Sequence, residues 1–280
     1  MPASSMAAKE RPASPVNAVT DRGIPVDIRG VTKRYLTARG EEVHALDAID
    51  LLIEPGEFVS IVGPSGCGKS TLMMLVSGLI PVTTGTIAVG GTTVRGPVPA
   101  AGIVFQRDVL LDWRTVLANV LLPVEIRKLD RASHLQKAKD LLASVGLSEF
   151  EDKYPGELSG GMRQRVSICR GLVQDPELLL MDEPFGALDA LTREQMNQDL
   201  QRMWLRNRNT VVFITHSIDE AVYLADRVIV MSSRPGRIAD IVEVGLPRPR
   251  RAQVRSDKRF IDHVERIRAH FMALGVLTED

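Results

Sequence analysis

The run Gly63-Pro64-Ser65-Gly66-Cys67-Gly68-Lys69-Ser70-Thr71 constrains this chain more than any other stretch of it. It satisfies the spacing G-x-x-x-x-G-K-[ST] in full. An apolar segment, Phe58–Val62, leads into it, and a periodic apolar run over residues 71–79 follows. A buried strand, a glycine turn and a helix are therefore expected in that order, which is the context this spacing needs to be a phosphate-binding loop. Glycines let a backbone close around phosphate oxygens, and the N–H groups at a helix start point at the anion. Lys69 is expected to reach the β- and γ-phosphates of a nucleoside triphosphate, and the Ser70 hydroxyl to ligate Mg²⁺. Many different machines share such a loop, so the rest of the chain must say which one this is.

Composition narrows the class. A length of 280 residues accommodates one large α/β domain or two lobes. Hydrophobic content of 44% with 25% charged residues is ordinary for a soluble globular protein. Lys+Arg and Asp+Glu both number 35, and that zero balance argues against a dedicated nucleic-acid binder. Two distant cysteines, Cys67 and Cys169, suit neither a zinc cluster nor a secreted disulfide scaffold, so a reducing, cytoplasmic compartment is expected. No stretch approaches the roughly 18 apolar residues that would cross a bilayer. The N-terminus carries Lys9, Glu10 and Arg11 without an apolar core region, unlike a secretory signal, and residues 1–24 read as a flexible tail.

Short strands are expected from Val26, over residues 48–53 after a polar turn or hairpin at 37–42, and over 58–62, 86–89 and 102–105. After Gln106 the pattern changes. Residues 116–147 lack strand alternation, and Leu135, Ala138, Leu141 and Leu142 fall on one helical face. A helical lobe inserted at roughly 107–175 is expected. Strand-like runs then resume at 178–181, 210–215 and 227–231, separated by helices, as a mainly parallel sheet requires. Pro247-Arg248-Pro249-Arg250-Arg251 reads as a linker. Behind it, Phe260, Val264, Ile267, Phe271 and Leu274 share one face of a helix, expected to pack on the chain's own body, with a dimer or partner contact as the alternative.

Two further motifs carry chemistry. Leu178-Leu179-Leu180-Met181 runs into Asp182-Glu183-Pro184. An acid at the end of a buried strand beside a phosphate loop supplies a second Mg²⁺ contact, which assigns Asp182. Glu183 can polarise a water for attack on the γ-phosphate. In Leu158-Ser159-Gly160-Gly161-Met162-Arg163-Gln164, Ser159 is a good N-cap, and the two glycines leave helix N–H groups unobstructed. The chain thus has a second anion-binding helix start but only one phosphate loop.

Taken in order, the phosphate loop, Gln106, the segment 158–164, residues 178–183, Ala187-Leu188-Asp189 and His216 resemble the nucleotide-binding subunit of ATP-binding cassette (ABC) transporters, over about residues 26–240. The resemblance implies an α/β fold: a P-loop NTPase (RecA-like) core with an antiparallel β subdomain and an inserted α-helical subdomain. It also implies a head-to-tail dimer in which Ser159, Gly160 and Gly161 bind the γ-phosphate held by the other subunit. By the same resemblance Tyr35 stacks on adenine, Gln106 ligates Mg²⁺ and senses the γ-phosphate, His216 holds the attacking water, and Asp189 bridges the subunits. Division into a tail (1–24), an ATPase domain (25–240) and a C-terminal linker and helix (241–280) follows.

Leu110-Leu111-Asp112-Trp113-Arg114-Thr115, Tyr154-Pro155, Phe185-Gly186-Ala187 and Ser233-Arg234-Pro235-Gly236-Arg237 are similar to the nitrate/sulfonate/taurine-type import ATPases. That likeness implies permease subunits in the membrane, an extracytoplasmic solute-binding protein acting indirectly, a peripheral position on the cytoplasmic face, and no nucleic-acid partner. The alternative class is a soluble cassette acting on nucleic acid or the ribosome, which usually carries two cassettes or a long coiled coil. Asp112 departs from the family's usual Pro, and Cys169-Arg170-Gly171 from Ala-Arg-Ala; Gly171 inside a helix is expected to cost about 1 kcal/mol. Cys67, near Lys69 and a helix start, is expected to be acidic, open to alkylation and protected by ATP, whereas Cys169 is expected to be an inert core residue.

Overall fold

The computed structural model describes residues 22–186 and 188–275. The expected tail lies almost wholly outside that range, as does Ala187.

Two sheets organise the chain. β1 (Val26–Leu36) and β2 (Glu42–Ile53) form a hairpin whose turn is closed by the Gly40 N–H donating to Thr37 O at 2.9 Å. With β4 (Thr84–Val89) and β5 (Thr92–Thr93) they build a four-stranded antiparallel sheet in the order β2-β1-β4-β5. The second sheet has six strands in the order β10-β9-β3-β8-β7-β6. Its parallel members are β3 (Phe58–Val62), β6 (Ala101–Val104), β7 (Leu178–Asp182), β8 (Thr210–Ile214) and β9 (Arg227–Met231), and β10 (Ile238–Glu243) closes one edge antiparallel to β9.

The apolar runs of β3, β7 and β8 are buried at every position because both faces of this sheet are covered. Phe58, Leu179, Met181, Val211 and Phe213 face one core, shared with the helical insertion and the C-terminal helices. Val59, Ile61, Leu178, Leu180, Val212 and Ile214 face the other, shared with the four-stranded sheet and α1 (Lys69–Val76).

Strands β6 and β7 pair directly, so everything between them is one excursion from the sheet. It contains α2 (Val116–Val120), α3 (Leu122–Ile126), α4 (Arg131–Ser144) and α5 (Gly160–Leu172). The buried Asn119 organises its entrance: its side chain accepts from Leu111 N–H at 2.8 Å and donates to the carbonyls of Leu111, Arg114 and Thr115. That leaves Trp113 at the tip, 75% exposed. α5 returns to the sheet so closely that a Cβ on Gly102 would lie 2.3 Å from Gly171 O, and one on Gly171 would lie 2.9 Å from Val104 Cγ2. Gly171 is therefore more than a propensity cost. An alanine at either position would push helix and strand apart.

α6 (Ala190–Asn207), α7 (Ile218–Leu224) and α8 (Lys258–Ala273) complete the fold. Phe260, Val264, Ile267 and Phe271 of α8 are buried, so the apolar stripe packs on the chain's own body. Residues 247–251 are not a free linker. Arg248 pairs with Asp226 at 2.8 Å and lies over the Trp204 ring, and Arg250 is only 3% exposed. β10 also carries the sheet past residue 240. Among the described residues, no helix is long and apolar enough to cross a membrane.

Candidate active site

The carboxyl ends of β3, β6 and β7 and the β1–β2 hairpin bound a cleft of about 320 Å³ over the phosphate loop. Its lining includes Tyr35, Ser65, Lys69, Thr71, Gln106 and Glu183. A larger hollow of about 500 Å³ lies along Val94–Ala100, but it is mostly apolar and holds no comparable set of reactive side chains. Chemistry rather than volume identifies the site.

The loop has the expected form. Gly68 stands at φ 100° immediately before α1, a backbone state that other residues adopt rarely, and a Cβ there would lie 2.5 Å from Leu46. Lys69 is 7% exposed, and its ammonium donates to Gly63 O at 2.8 Å and Pro64 O at 3.1 Å across the loop. The lysine thus bridges two carbonyls of the loop itself. Burial raises the pKa of the Asp182 carboxyl, against a lowering influence of the neighbouring Ser70 hydroxyl. Ser70 and Asp182 are hard oxygen donors, and no cluster of three or more His, Cys, Asp or Glu able to hold a metal alone occurs among the described residues. Two protein oxygens beside a phosphate loop fit Mg²⁺, which keeps waters and takes substrate phosphate oxygens.

Glu183 is the centre of a second group. Gln106 Nε2 donates to Glu183 Oε2 at 3.0 Å, and His216 Nδ1 lies 3.4 Å from the same oxygen. Three residues from three strand ends, separated by up to 110 positions in sequence, converge on one carboxylate oxygen. Glu183 adopts φ 45°, and its N–H donates to Ile214 O at 2.9 Å, so a strained backbone is held in place to aim this side chain.

Ser159, Gly160 and Gly161 do not join the cleft. Ser159 caps α5, its hydroxyl accepting from Met162 N–H at 3.3 Å, and Ser159 and Gly160 are exposed. Asp189 caps α6 by accepting from Thr192 N–H at 3.0 Å, and bonding to Thr192 holds its pKa below the usual carboxylate value. The helix start at Ser159 is therefore exposed and separate from the phosphate-loop cleft of its own chain. It is also wired to the cleft: Asp108, two residues after Gln106, pairs with Arg163 of α5 at 2.9 Å.

A family profile described as ABC transporter matches residues 46–186. The chain belongs to that family. This ABC cassette is 46% identical over 80% of its length to the bicarbonate transport ATP-binding protein CmpD of Synechocystis, covering 80% of that protein. It is 49% identical over 73% of its length to the taurine import ATP-binding protein TauB of Rhizobium johnstonii, covering 78% of it. Among solved structures it is similar to the dimeric bacterial ABC transporter cassette MJ0796, with a TM-score of 0.71 and 32% identity over 78% of this chain and 98% of that one. The chain is accordingly an ABC-type ATPase that binds ATP, on a P-loop NTPase fold.

Two features of the cassette's site were not legible beforehand. Val43 and Ala45 line the cleft beside Tyr35. The hairpin register sets Val43 directly opposite Tyr35, and the turn at 37–41 was the one signal that could have paired them. Cys67 overturns its expectation. Its side chain is fully buried, and burial pushes the thiol up despite the lowering influence of Lys69. Only its backbone belongs to the loop. Cys169, also fully buried, is pushed up to about 12. Both thiols of the native chain should resist iodoacetamide at neutral pH and react within minutes of denaturant addition. Mass spectrometry of the alkylated protein checks this, and rapid native labelling of Cys67 would contradict it.

Proposed function

We propose that this chain is the ATP-hydrolysing subunit of an importer for a small anionic or organosulfur solute, working as a head-to-tail pair of copies. The observation that carries the paired site is the exposed helix start at Ser159, apart from the cleft, in a sequence with one phosphate-loop motif. Each cleft is completed by Ser159, Gly160 and Gly161 of the other copy, with Asp189 at the seam. Tyr35 offers a flat face to the base. Lys69 exchanges the carbonyls of Gly63 and Pro64 for phosphate oxygens, with the backbone of residues 63–71 around them. Ser70, Asp182 and Gln106 would hold Mg²⁺, which would supply charge neutralisation to the phosphate chain. Glu183 takes a proton from the attacking water while His216 and Gln106 hold that water in line.

The same reading divides the chain into an ATPase domain over 25–240, a helical insertion over about 107–175, and a C-terminal portion over 241–280, whose described residues pack on the core. The pair formed by Asp108 and Arg163 links the cleft to the insertion, whose exposed Trp113 and Ile126 suit contact with permease subunits at the cytoplasmic face of the membrane. The import direction and solute class are supported by the likeness to CmpD, a bicarbonate transport protein, and TauB, a taurine import protein. A solute-binding protein outside the membrane acts on those permeases and not on this chain. Affinity purification of the tagged chain from detergent-solubilised membranes should recover a multi-spanning protein in stoichiometric amount. Recovery of nucleic acid or ribosomes in its place would favour the other class. Solute uptake by a strain lacking the chain then names the cargo.

A further inference from the structure

The turn after β9, Ser233-Arg234-Pro235-Gly236-Arg237, has no part in the chemistry above, yet it is fastened to the phosphate loop. Gly236 N–H donates to Ala45 O at 2.9 Å, and Asp47 N–H donates to Gly236 O at 3.0 Å, so the turn is stitched to β2 by backbone bonds. Arg237 anchors it further, its Nε donating to Asp47 Oδ2 at 3.0 Å and its N–H to Ser232 Oγ at 3.1 Å. A Cβ at position 236 would lie 2.0 Å from Cys67 O. Only glycine allows that approach, and it presses the turn directly against the loop.

The consequence is the placement of Arg234. Its backbone is fixed on both sides, and its side chain lines the same cleft as Tyr35, Lys69 and Glu183. The guanidinium is exposed and donates a long bond, 3.4 Å, to Gly66 O. Other arginines around the sheet have carboxylates: Arg237 with Asp47, Arg227 with Glu57, Arg248 with Asp226. Among the described residues no such pair is formed by Arg234. A magnesium nucleotide keeps net negative charge, and Lys69 supplies one cation against it while Glu183 subtracts one. A guanidinium with free donors at the rim fits phosphate oxygens by both charge and geometry.

We infer that Arg234 is a second cationic contact to the phosphate chain of the bound nucleotide, a binding residue supplied by the turn after β9. The inference rests on the nucleotide occupying this cleft. Equilibrium binding of MgADP to the full chain tests it, with Arg234→Ala, Arg234→Gln and Arg234→Lys compared with the parent. Magnesium tripolyphosphate, displacing a fluorescent ADP, serves as a probe that has no base. Ala and Gln should each weaken MgADP and tripolyphosphate alike by about tenfold, the size expected for one solvent-accessible charge-assisted contact, and should flatten the dependence on salt. Lys should stay within about threefold of the parent. Unchanged MgADP affinity in Ala and Gln would overturn the inference, and so would a loss seen with MgADP but not with tripolyphosphate, which would place the contact on the base. A parent chain that binds no MgADP would instead overturn the nucleotide site itself, so the two failures are distinguishable.

Discussion

Glu183→Gln is expected to reduce ATP turnover by about 10²–10⁴-fold, the contribution of a positioned general base. The substitution is nearly isosteric, and an amide oxygen can still accept from Gln106 Nε2, now 3.0 Å from the carboxylate. The left-handed backbone at 183 and its bond to Ile214 O are untouched. What disappears is the ability to take a proton, together with one negative charge that opposes the nucleotide. Nucleotide affinity should therefore stay within a few-fold of the parent while kcat collapses. A loss confined to KM would mean that Glu183 binds substrate and does not act on water.

Arg250→Ala is expected to destabilise the fold by about 4 kcal/mol, measured as a shift in the urea midpoint at unchanged slope. Arg250 donates to the carbonyls of Val222, Tyr223 and Ala225 at 2.7–3.0 Å and to Leu246 O at 3.1 Å. The first three lie at the end of α7, where carbonyls lack intrahelical partners and a cation is favoured. Burial draws its pKa down to about 9, which still leaves it charged at neutral pH. Truncation strips four buried carbonyls of their donor and opens a void between α6 and α7. The bonds of Gln201 and Tyr223 to the backbone carbonyl of residue 250 remain available, so the loss falls on the side-chain contacts. Because α7 follows directly on His216, ATPase activity should fall along with stability. A change below 1 kcal/mol would mean that the segment is the linker its composition suggests.

That segment shows where a sequence stops being readable. Alternating proline and arginine look solvated, and nothing local reveals that the end of a helix 25 residues earlier needs a cation. The phosphate loop, Asp182 and Glu183 were legible because strand, turn and acid follow one another along the chain. Their convergence with Gln106 and His216 was reached through family resemblance, since it depends on strand order β3-β8-β7-β6, which no single segment encodes. Cys67 departs from expectation for a related reason. Its closeness to Lys69 is sequential and visible, whereas its burial under Gly63, Met231 and Gly236 is tertiary and outweighs that charge. Gly171 looked like a local penalty, but its role appears only when β6 lies beside α5.

The paired site is tested most directly by sedimentation velocity of the Glu183→Gln chain with and without MgATP. MgATP should convert it from the 30.7 kDa chain to a species of twice that mass, with one nucleotide retained per chain. Adding Ser159→Arg should keep it at the single-chain mass with nucleotide still bound. A Glu183→Gln chain that binds MgATP yet remains at single-chain mass, or a pair that forms equally well with Arg at position 159, would contradict the account.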